Sequence, residues 1–364
     1  MDTGLYSSAL YVDMNIFDEN IQILTRRHKN LIPVLKSDAY GLGLLPIARA
    51  LTQHSGVKML AVAQVLEGAA LREGGIAEDI LVLGGTLPRQ WLAAAKLGLT
   101  LTVTRPGMIA ELDEIKKAVN VHLKIETGLN RNGIRPGDEL AGVIEELKNA
   151  NYVNLTGTYS HFAQAEEWDQ IRCMAQKTEF DRALVQLQAA GIDPGLRHMS
   201  NSAAAEWLNE AEYDAVRIGR GLYMDAQDHP TGGIREVASW RAAIVGLRQL
   251  QAGSRLGYGR GIVLEKDTRV AMVNVGYGDG LNHRVADGGP VLIEGREARL
   301  LGCCMDQCFV DVGDIVCGIG SEVTLFGHDG RGNFLSSQEV AKLCNDEGCG
   351  LTAALGPRVA RIYE

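Results

Sequence analysis

Lys36 stands at the end of an apolar run, in PVLKSDAYGLG (33–43). A lysine amine forms a Schiff base with a carbonyl when desolvation or a neighbouring cation lowers its pKa. On that fragment alone, a surface lysine at a strand end is the plainer reading. Other polar groups shift the balance. Lys124 and Glu126 lie in VHLKIETGLNRNG (121–133), and His161 ends the run before FAQAEEWD. His198 to Ser202 form HMSNS, and Arg217 with Gly219 sit in VRIGRGLY (216–223). Asn201 and Ser202 precede a helix-like run, and the glycines after Arg217 expose backbone N–H groups. Both patterns suit an anion such as phosphate. The plainer reading of Ser-Asn-Ser is a helix cap. Tyr258, in RLGYGRG (255–261), is a further titratable group. An unperturbed tyrosine has a pKa of about 10. It acts as a base only beside positive charge or aligned donors.

The elements that must position these groups alternate regularly. Apolar runs occupy 31–36, 59–63, 80–84, 99–103, 121–127, 155–162, 196–200 and 215–219. Amphipathic stretches such as 44–54, 64–73 and 167–189 lie between them. This alternation predicts βαβ units with a parallel sheet. Eight units suggest closure into a (β/α)8 TIM barrel, in which strand ends converge on one mouth and the last two loops bind phosphate. A doubly wound open sheet is the competitor. Its glycine-rich fingerprint is missing from the first turn, where only GLG (41–43) occurs. After residue 236 the helical patterns fade, and short alternating runs at 241–247, 269–275, 290–293, 308–312 and 321–326 predict a mostly β C-terminal domain. A helix is expected over 336–346, capped by Ser336 or Ser337. Residues 7–13 read as a strand that could join either domain. The expected division is a barrel over 8–235 and a β domain over 1–7 and 236–364.

The chain has 364 residues, enough for two cores, with a net charge of −9. That charge disfavours nucleic acid and anionic membrane surfaces. No run of apolar residues is long enough to span a bilayer, and no basic-then-apolar signal opens the chain. The odd number of cysteines, seven, favours free thiols in a reducing compartment, hence the cytoplasm. CCMDQC (303–308) lacks paired zinc spacing, so no metal is expected.

PVLKSDAYGLG, VHLKIETGLNRNG, YSHFAQAEEWD, HMSNSAA, VRIGRGLY, RLGYGR, GYGDG and MDQCFVDV follow one another in the order of the alanine racemase family. The resemblance covers essentially the whole chain. It implies pyridoxal 5'-phosphate (PLP) as cofactor, a barrel followed by a β domain, and a head-to-tail homodimer. It makes Lys36 the Schiff-base lysine and one of two racemisation bases. Tyr40 helps hold the phosphate, together with Ser202, Gly219 and the backbone N–H of Arg220. His161 and Asn201 belong to the cofactor's hydrogen-bond network. Arg217 faces the pyridine nitrogen, and an arginine there keeps that nitrogen unprotonated because it hardly ever gives up its own proton. Arg131 approaches the substrate carboxylate, with Lys124, carbamylated in this family, as its partner. The alternative for Lys124 is a salt bridge to Glu126 or another barrel acid. Tyr258 is the second base, supplied by the other subunit, with Tyr277 and Asp279 as a supporting turn. Met305 presents its backbone N–H to the substrate, supported by Asp306.

This sequence departs from the family at three places. Counting back from RVARIY (358–363), Cys349 occupies the position of a tyrosine that contacts phosphate and narrows the substrate pocket. GCCMD (302–306) lacks the usual entrance arginine, and His283 competes with Arg284 for a role downstream of VGYGDG. The expected function is interconversion of L- and D-alanine. Serine or dual serine/alanine racemisation is the alternative, as in the soluble domains of membrane-bound members. A PLP-dependent decarboxylase and a non-catalytic PLP-binding protein are readings of other classes.

Overall fold

The computed structural model describes residues 6–224, 232–258 and 261–364. Its described residues divide into two compact units. One comprises Asp18–Ala39 and Leu44–Ile234. The other comprises the residues up to Phe17, Tyr40–Gly43 and Arg235–Glu364.

Strand β1 (Ser8–Val12) opens the description and belongs to the second unit. The first unit is built on β2 (Leu31–Pro33), β3 (Leu60–Val62), β4 (Ile80–Val82), β5 (Leu99–Val103), β6 (Val119–Lys124), β7 (Val153–Tyr159), β8 (Leu196–His198) and β9 (Val216–Ile218). Strands β3 to β8 form one parallel sheet, and β2 pairs in parallel with β9. Parallel bridges Val34–Ala61 and His198–Ala215 join the two pieces into a ring. The open-sheet alternative fails because β2 has partners on both sides. Val34 N–H donates to Ile218 O and Leu35 N–H to Ala61 O. Barrel strands are covered on both faces, so they read as unbroken apolar runs. Leu31, Ile32, Leu60, Ala61, Ile80 and Leu81 are fully buried.

Local chemistry starts the surrounding helices. Pro88 stands at the first turn of Pro88–Lys96, where its missing N–H costs nothing. Asp169 caps Gln170–Ala189 by accepting from Arg172 N–H, and Asn201 caps Ser202–Trp207 by accepting from Ala204 N–H.

The second unit contains β10 (Ala238–Leu250), β11 (Thr268–Val273), β12 (Pro290–Ile293), β13 (Arg296–Cys303), β14 (Cys308–Asp311), β15 (Glu322–His328), β16 (Phe334–Leu335) and β17 (Ala360–Tyr363). Its order is β16-β15-β12-β13-β14-β11-β10-β1-β17, and β15 also pairs with β10. The strands from β10 round to β15 therefore close on themselves. Strand β1 lies between β10 and β17 with Leu10 and Val12 fully buried. The expected barrel start at residue 8 therefore differs from the structure, in which this strand completes the β unit and the barrel unit begins at Asp18. Ser336 is the cap in the 336–346 region, accepting from Gln338 N–H, and the helix is shorter than expected, Ser337–Lys342. A further helix, Gly348–Ala353, was masked in the sequence by Gly348 and Gly350, poor helix formers.

Glu236 supplies a test of this unit. Its carboxylate accepts from Ser337 N–H at 3.2–3.3 Å in a buried setting. Burial pushes the carboxyl up to about 7, against the bonds from Ser337 that favour the charged form. The unfolded value is about 4.3. The fold thus prefers the neutral acid. That preference is fully present below the unfolded pKa and is lost as pH rises through 7. Glu236→Gln keeps an acceptor without the charge. Urea unfolding at fixed protein concentration should show the variant more stable at pH 8 by about 1–3 kcal/mol, with the gap shrinking at pH 5. An equal gap at both pH values would contradict the assignment.

Candidate active site

Lys36 emerges just past β2, exposed at the barrel mouth. The backbone after it is unusual. Ser37, Asp38, Ala39 and Tyr40 have φ of 53–57°, so the chain makes one left-handed helical turn without a glycine until Gly41. Each such residue costs roughly 1–2 kcal/mol in this conformation. Neighbouring groups hold the turn. Ser37 N–H donates to Glu67 Oε1 at 2.6 Å, and Glu67 Oε2 accepts from Ala63 and Gln64 N–H. Asp38 Oδ1 accepts from Leu44 N–H at 2.7 Å. Gly41 allows close approach, since a Cβ there would stand 2.0 Å from Thr352 O. Glu67 has no counterpart among the predicted site residues. Its only signal was a position three residues into a helix.

Arg217, from β9, is buried and organises the mouth. Nη1 donates to His198 Nδ1 (2.8 Å) and His198 O (3.1 Å). Nη2 faces Ser160 O (2.7 Å), His161 Nδ1 (2.9 Å) and Met199 O (2.9 Å). Its guanidinium lies 5.1 Å over the Tyr159 ring, and Tyr159 stacks on His198 at 4.8 Å. These partners engage the terminal N–H groups and leave the Nε–H as a donor for a ring nitrogen. Burial lowers Arg217 to about 10, so it stays protonated at neutral pH. Burial first and Arg217 second hold His161 well below the ordinary histidine range. His161 is therefore neutral. It accepts at Nδ1, so its proton is on Nε2.

Lys124 ends β6 and is buried, donating to Asn132 Oδ1 through a short contact. Burial, then the charges of Arg131 and Arg217, push its amine down to about 8, against the pull of Glu126. A partly neutral amine can take up carbon dioxide, and the resulting anion would be attracted to the same Arg131 that now repels it. Glu126 Oε1 is used by Gly128 and Asn130 N–H, while Oε2 is buried with no hydrogen-bond partner among the described residues. The simple Lys124–Glu126 salt bridge is not formed in the structure. Arg131 is exposed, and its charge acts on Lys124, Tyr159, His161 and Arg217.

The anion cradle lies at Ser202. The N–H groups of Gly219 (3.0 Å) and Gly221 (3.2 Å) both point at its Oγ. A phosphate oxygen would take these same donors, with the hydroxyl turning to donate. Gly221 belongs to this cradle although the sequence singled out only Gly219 and Arg220. Asn201, expected in the cofactor's hydrogen-bond network, is the cap of a helix in this structure. Its Oδ1 caps the helix and its Nδ2 donates to Glu166 at 3.1 Å. A helix start needs that oxygen more locally.

The remaining predicted residues lie in the β unit. Tyr258 is 74% exposed beside a cleft of about 530 Å³ lined also by Tyr6, Asn274, Cys304, Asp306 and Arg358. Gly259 and Arg260 of its motif lie outside the described residues. Cys304 first, with Tyr277 and Asp306, raises the Tyr258 phenol above its ordinary value. That is the wrong direction for a base, so this unit alone does not activate it. The GYGDG turn and the MD loop are joined by Tyr277 N–H to Cys304 O (3.1 Å) and Gly278 N–H to Met305 O (2.9 Å). Gly276 is required there, because a Cβ would fall 2.2 Å from Met305 O. The Met305 N–H has no partner among the described residues. Arg358, which sequence reasoning missed, ties Asp279 (2.9 Å) to Asp306 (2.6 Å). The His283 ring lies 4.9 Å from that of Tyr277. Cys349 sits in the helix Gly348–Ala353 with its thiol 3.5 Å from Glu347 Oε2. Tyr40 closes the left-handed turn.

A (β/α)8 barrel with a lysine, converging backbone N–H groups and a buried arginine with a spare donor past its strands, followed by a β domain, is the architecture of a fold-type III PLP enzyme. The descriptions "Alanine racemase, N-terminal domain" and "Alanine racemase, C-terminal domain" match residues 12–227 and 237–363. An alanine racemase of Thermobifida fusca is 32% identical over 97% of this chain and 96% of its own. One of Halothermothrix orenii is 33% identical over 92% and 90%. The structure of alanine racemase from Bacillus anthracis with bound L-Ala-P superposes with a TM-score of 0.93 at 28% identity, covering 100% of this chain and 96% of that one. The chain belongs to the alanine racemase family, and its activity is PLP-dependent racemisation of alanine. No helix among the described residues is long and apolar enough to cross a membrane.

Proposed function

We propose that Lys36 and Tyr258 are the two proton-transfer groups of this racemase, and that a homodimer in the cytoplasm supplies Tyr258 from the partner subunit. The observation that carries this reading is the state of His161. It is neutral, it is fixed by Arg217, and it offers an Nε2–H from the barrel mouth. A phenol raised by its own unit needs such a donor, together with the nearby guanidinium charge, to give up its proton.

The residues divide the work. Bound PLP draws electron density from the α-carbon and so acidifies its hydrogen. Ser202, Gly219, Arg220 and Tyr40 would hold its phosphate, Lys36 its carbonyl carbon, and Arg217 Nε–H its ring nitrogen. Arg217 keeps its proton, so that nitrogen would stay uncharged and side reactions would be disfavoured. Arg131 and the Met305 N–H hold the substrate carboxylate, with a carbamylated Lys124 orienting Arg131. Lys36 Nζ then moves a proton on one face and Tyr258 Oη on the other.

Incubation with L-alanine alone should end in a racemic mixture by chiral chromatography. Carbon dioxide release, or binding without turnover, would overturn the reading. Cys349 favours a second substrate, serine. A thiol in place of a phenol frees volume, and serine adds one hydroxyl to alanine. Space alone gives tolerance, since a buried unpaired hydroxyl costs about 1–3 kcal/mol. Alanine should therefore remain preferred, with measurable serine turnover. In Cys349→Tyr, kcat/KM for L-serine should fall several-fold more than for L-alanine. An unchanged ratio removes Cys349 from specificity.

A further inference from the structure

We propose that His122 is a positioning residue for this reaction: through the tautomer of His198 it sets the guanidinium of Arg217. The proposal rests on the reading that Arg217 faces the ring nitrogen of the cofactor.

His122 lies two residues before Lys124 on β6, so both side chains share one face of the strand. Its Nδ1 is 2.9 Å from His198 Nε2, and His198 Nδ1 is 2.8 Å from Arg217 Nη1. All three side chains are buried. A guanidinium only donates, so His198 Nδ1 must accept. An imidazole accepting at both nitrogens would be an anion. His198 must therefore carry its proton on Nε2 and donate it to His122 Nδ1. His122 is then neutral with its own proton on Nε2. Burial supports this state, holding His122 at about 3 and His198 well below the ordinary range.

The backbone is shaped for this ring. The pairing of β6 with β7 shifts register between Val121 and His122, placing His122 opposite Gly157. Such irregularities re-aim a side chain beside active sites. A Cβ on Gly157 would stand 2.6 Å from His122 Cε1 and Nε2, so the glycine is the space the imidazole occupies. Three features thus agree on one ring position: the register shift, the glycine and the hydrogen bond to His198.

Without an acceptor at His122, the Nε2–H of His198 is left buried and unpaired, a costly state. Moving the proton to Nδ1 relieves it but turns a donor against Arg217 Nη1. The guanidinium must then shift, and its Nε–H shifts with it. His122 acts only through His198 and Arg217.

The variants are His122→Phe, which removes the acceptor, and His122→Asn, whose Oδ1 can stand in for Nδ1. Gly157→Ala disturbs the same ring from outside the chain of hydrogen bonds. The first readout is nitrogen NMR of histidine-labelled protein, with and without PLP. His198 should show an acceptor-type Nδ1 in wild type and in His122→Asn, and a mixed or reversed pattern in His122→Phe and Gly157→Ala. The second is kinetics. In His122→Phe, kcat for alanine should fall about ten- to hundredfold. KM should change less than about twofold, as for an interaction made mainly in the transition state. The number of racemisation turnovers per abortive transfer of the amino group to the cofactor should fall as well. His122→Asn should recover most of both. An unaltered His198 tautomer in a folded His122→Phe, or in Gly157→Ala if that variant alone folds, overturns the proposal. So does an altered tautomer with unaltered kcat and partition. Arg217→Lys separates the two failures: if it too leaves the partition unchanged, the reading of Arg217 is what failed.

Discussion

Replacing Lys36 by Ala is expected to lower kcat for alanine by more than about 10⁴-fold, the largest effect of any single change in this protein. Two losses combine. On the proposed reading, the amine that would anchor the cofactor disappears, and so does a proton-transfer group, a kind of group that alone contributes about 10²–10⁴-fold. The surroundings of Lys36 are built to hold its backbone, not only its amine. Four non-glycine residues in the left-handed region follow it, and Glu67 and Asp38 bind their flanking N–H groups. A protein keeps strain of this kind where the conformation is needed for function. Borohydride reduction of the purified wild-type protein followed by peptide mass analysis should place the pyridoxyl label on Lys36. In Lys36→Ala the label should vanish while far-ultraviolet circular dichroism is unchanged. Label on Lys124, the other lysine at the mouth and the one with the lowered pKa, would reassign the anchor.

The barrel was legible because its strands are buried on both faces. Each of the eight predicted runs overlaps an observed strand; six contain it whole, while β6 and β7 begin two residues before their runs, at Val119 and Val153. Lys36, His161 and Arg217 could be placed together because the first two follow such strands and Arg217 lies within the last of them. Their chemical roles came from the family resemblance, not from periodicity. His122 shows what spacing cannot reveal. In VHLK it reads as an ordinary strand residue, and its partner His198 lies 76 residues away. Only the register shift and the bare Gly157 α-carbon make its position informative, and neither is visible before strands are paired. The left-handed turn after Lys36 was hidden for a related reason. SDAY contains no glycine, the residue that normally announces positive φ. Strand β13 was missed because Arg296, Glu297 and Arg299 interrupt its apolar alternation with charge, although Ala298 and Leu300 still face the core.

Tyr258→Phe is expected to be the second most damaging change, lowering kcat by about 10²–10⁴-fold. The ring stays and only the hydroxyl is lost, so cofactor binding should persist. The defect should be one-sided. In deuterated water, α-hydrogen exchange on one substrate face should collapse, while exchange on the face served by Lys36 survives in part. Equal retention on both faces removes Tyr258 from its assigned role. Geometry adds a stronger test. The phenol is 74% exposed on the β unit, and Cys304, Tyr277 and Asp306 push its pKa the wrong way for a base. On the proposed reading, the donors and positive charge it needs would be those of His161 and Arg217, supplied by the partner's barrel in a head-to-tail dimer. Lys36→Ala and Tyr258→Phe should then complement each other. A mixed dimer has one site with both native groups and one with neither. Random assortment makes half the dimers mixed, so co-expression should restore about a quarter of wild-type activity from two nearly inactive parents. If each chain instead supplied both groups to its own site, no mixture would contain an intact site, and activity would stay at the level of the parents.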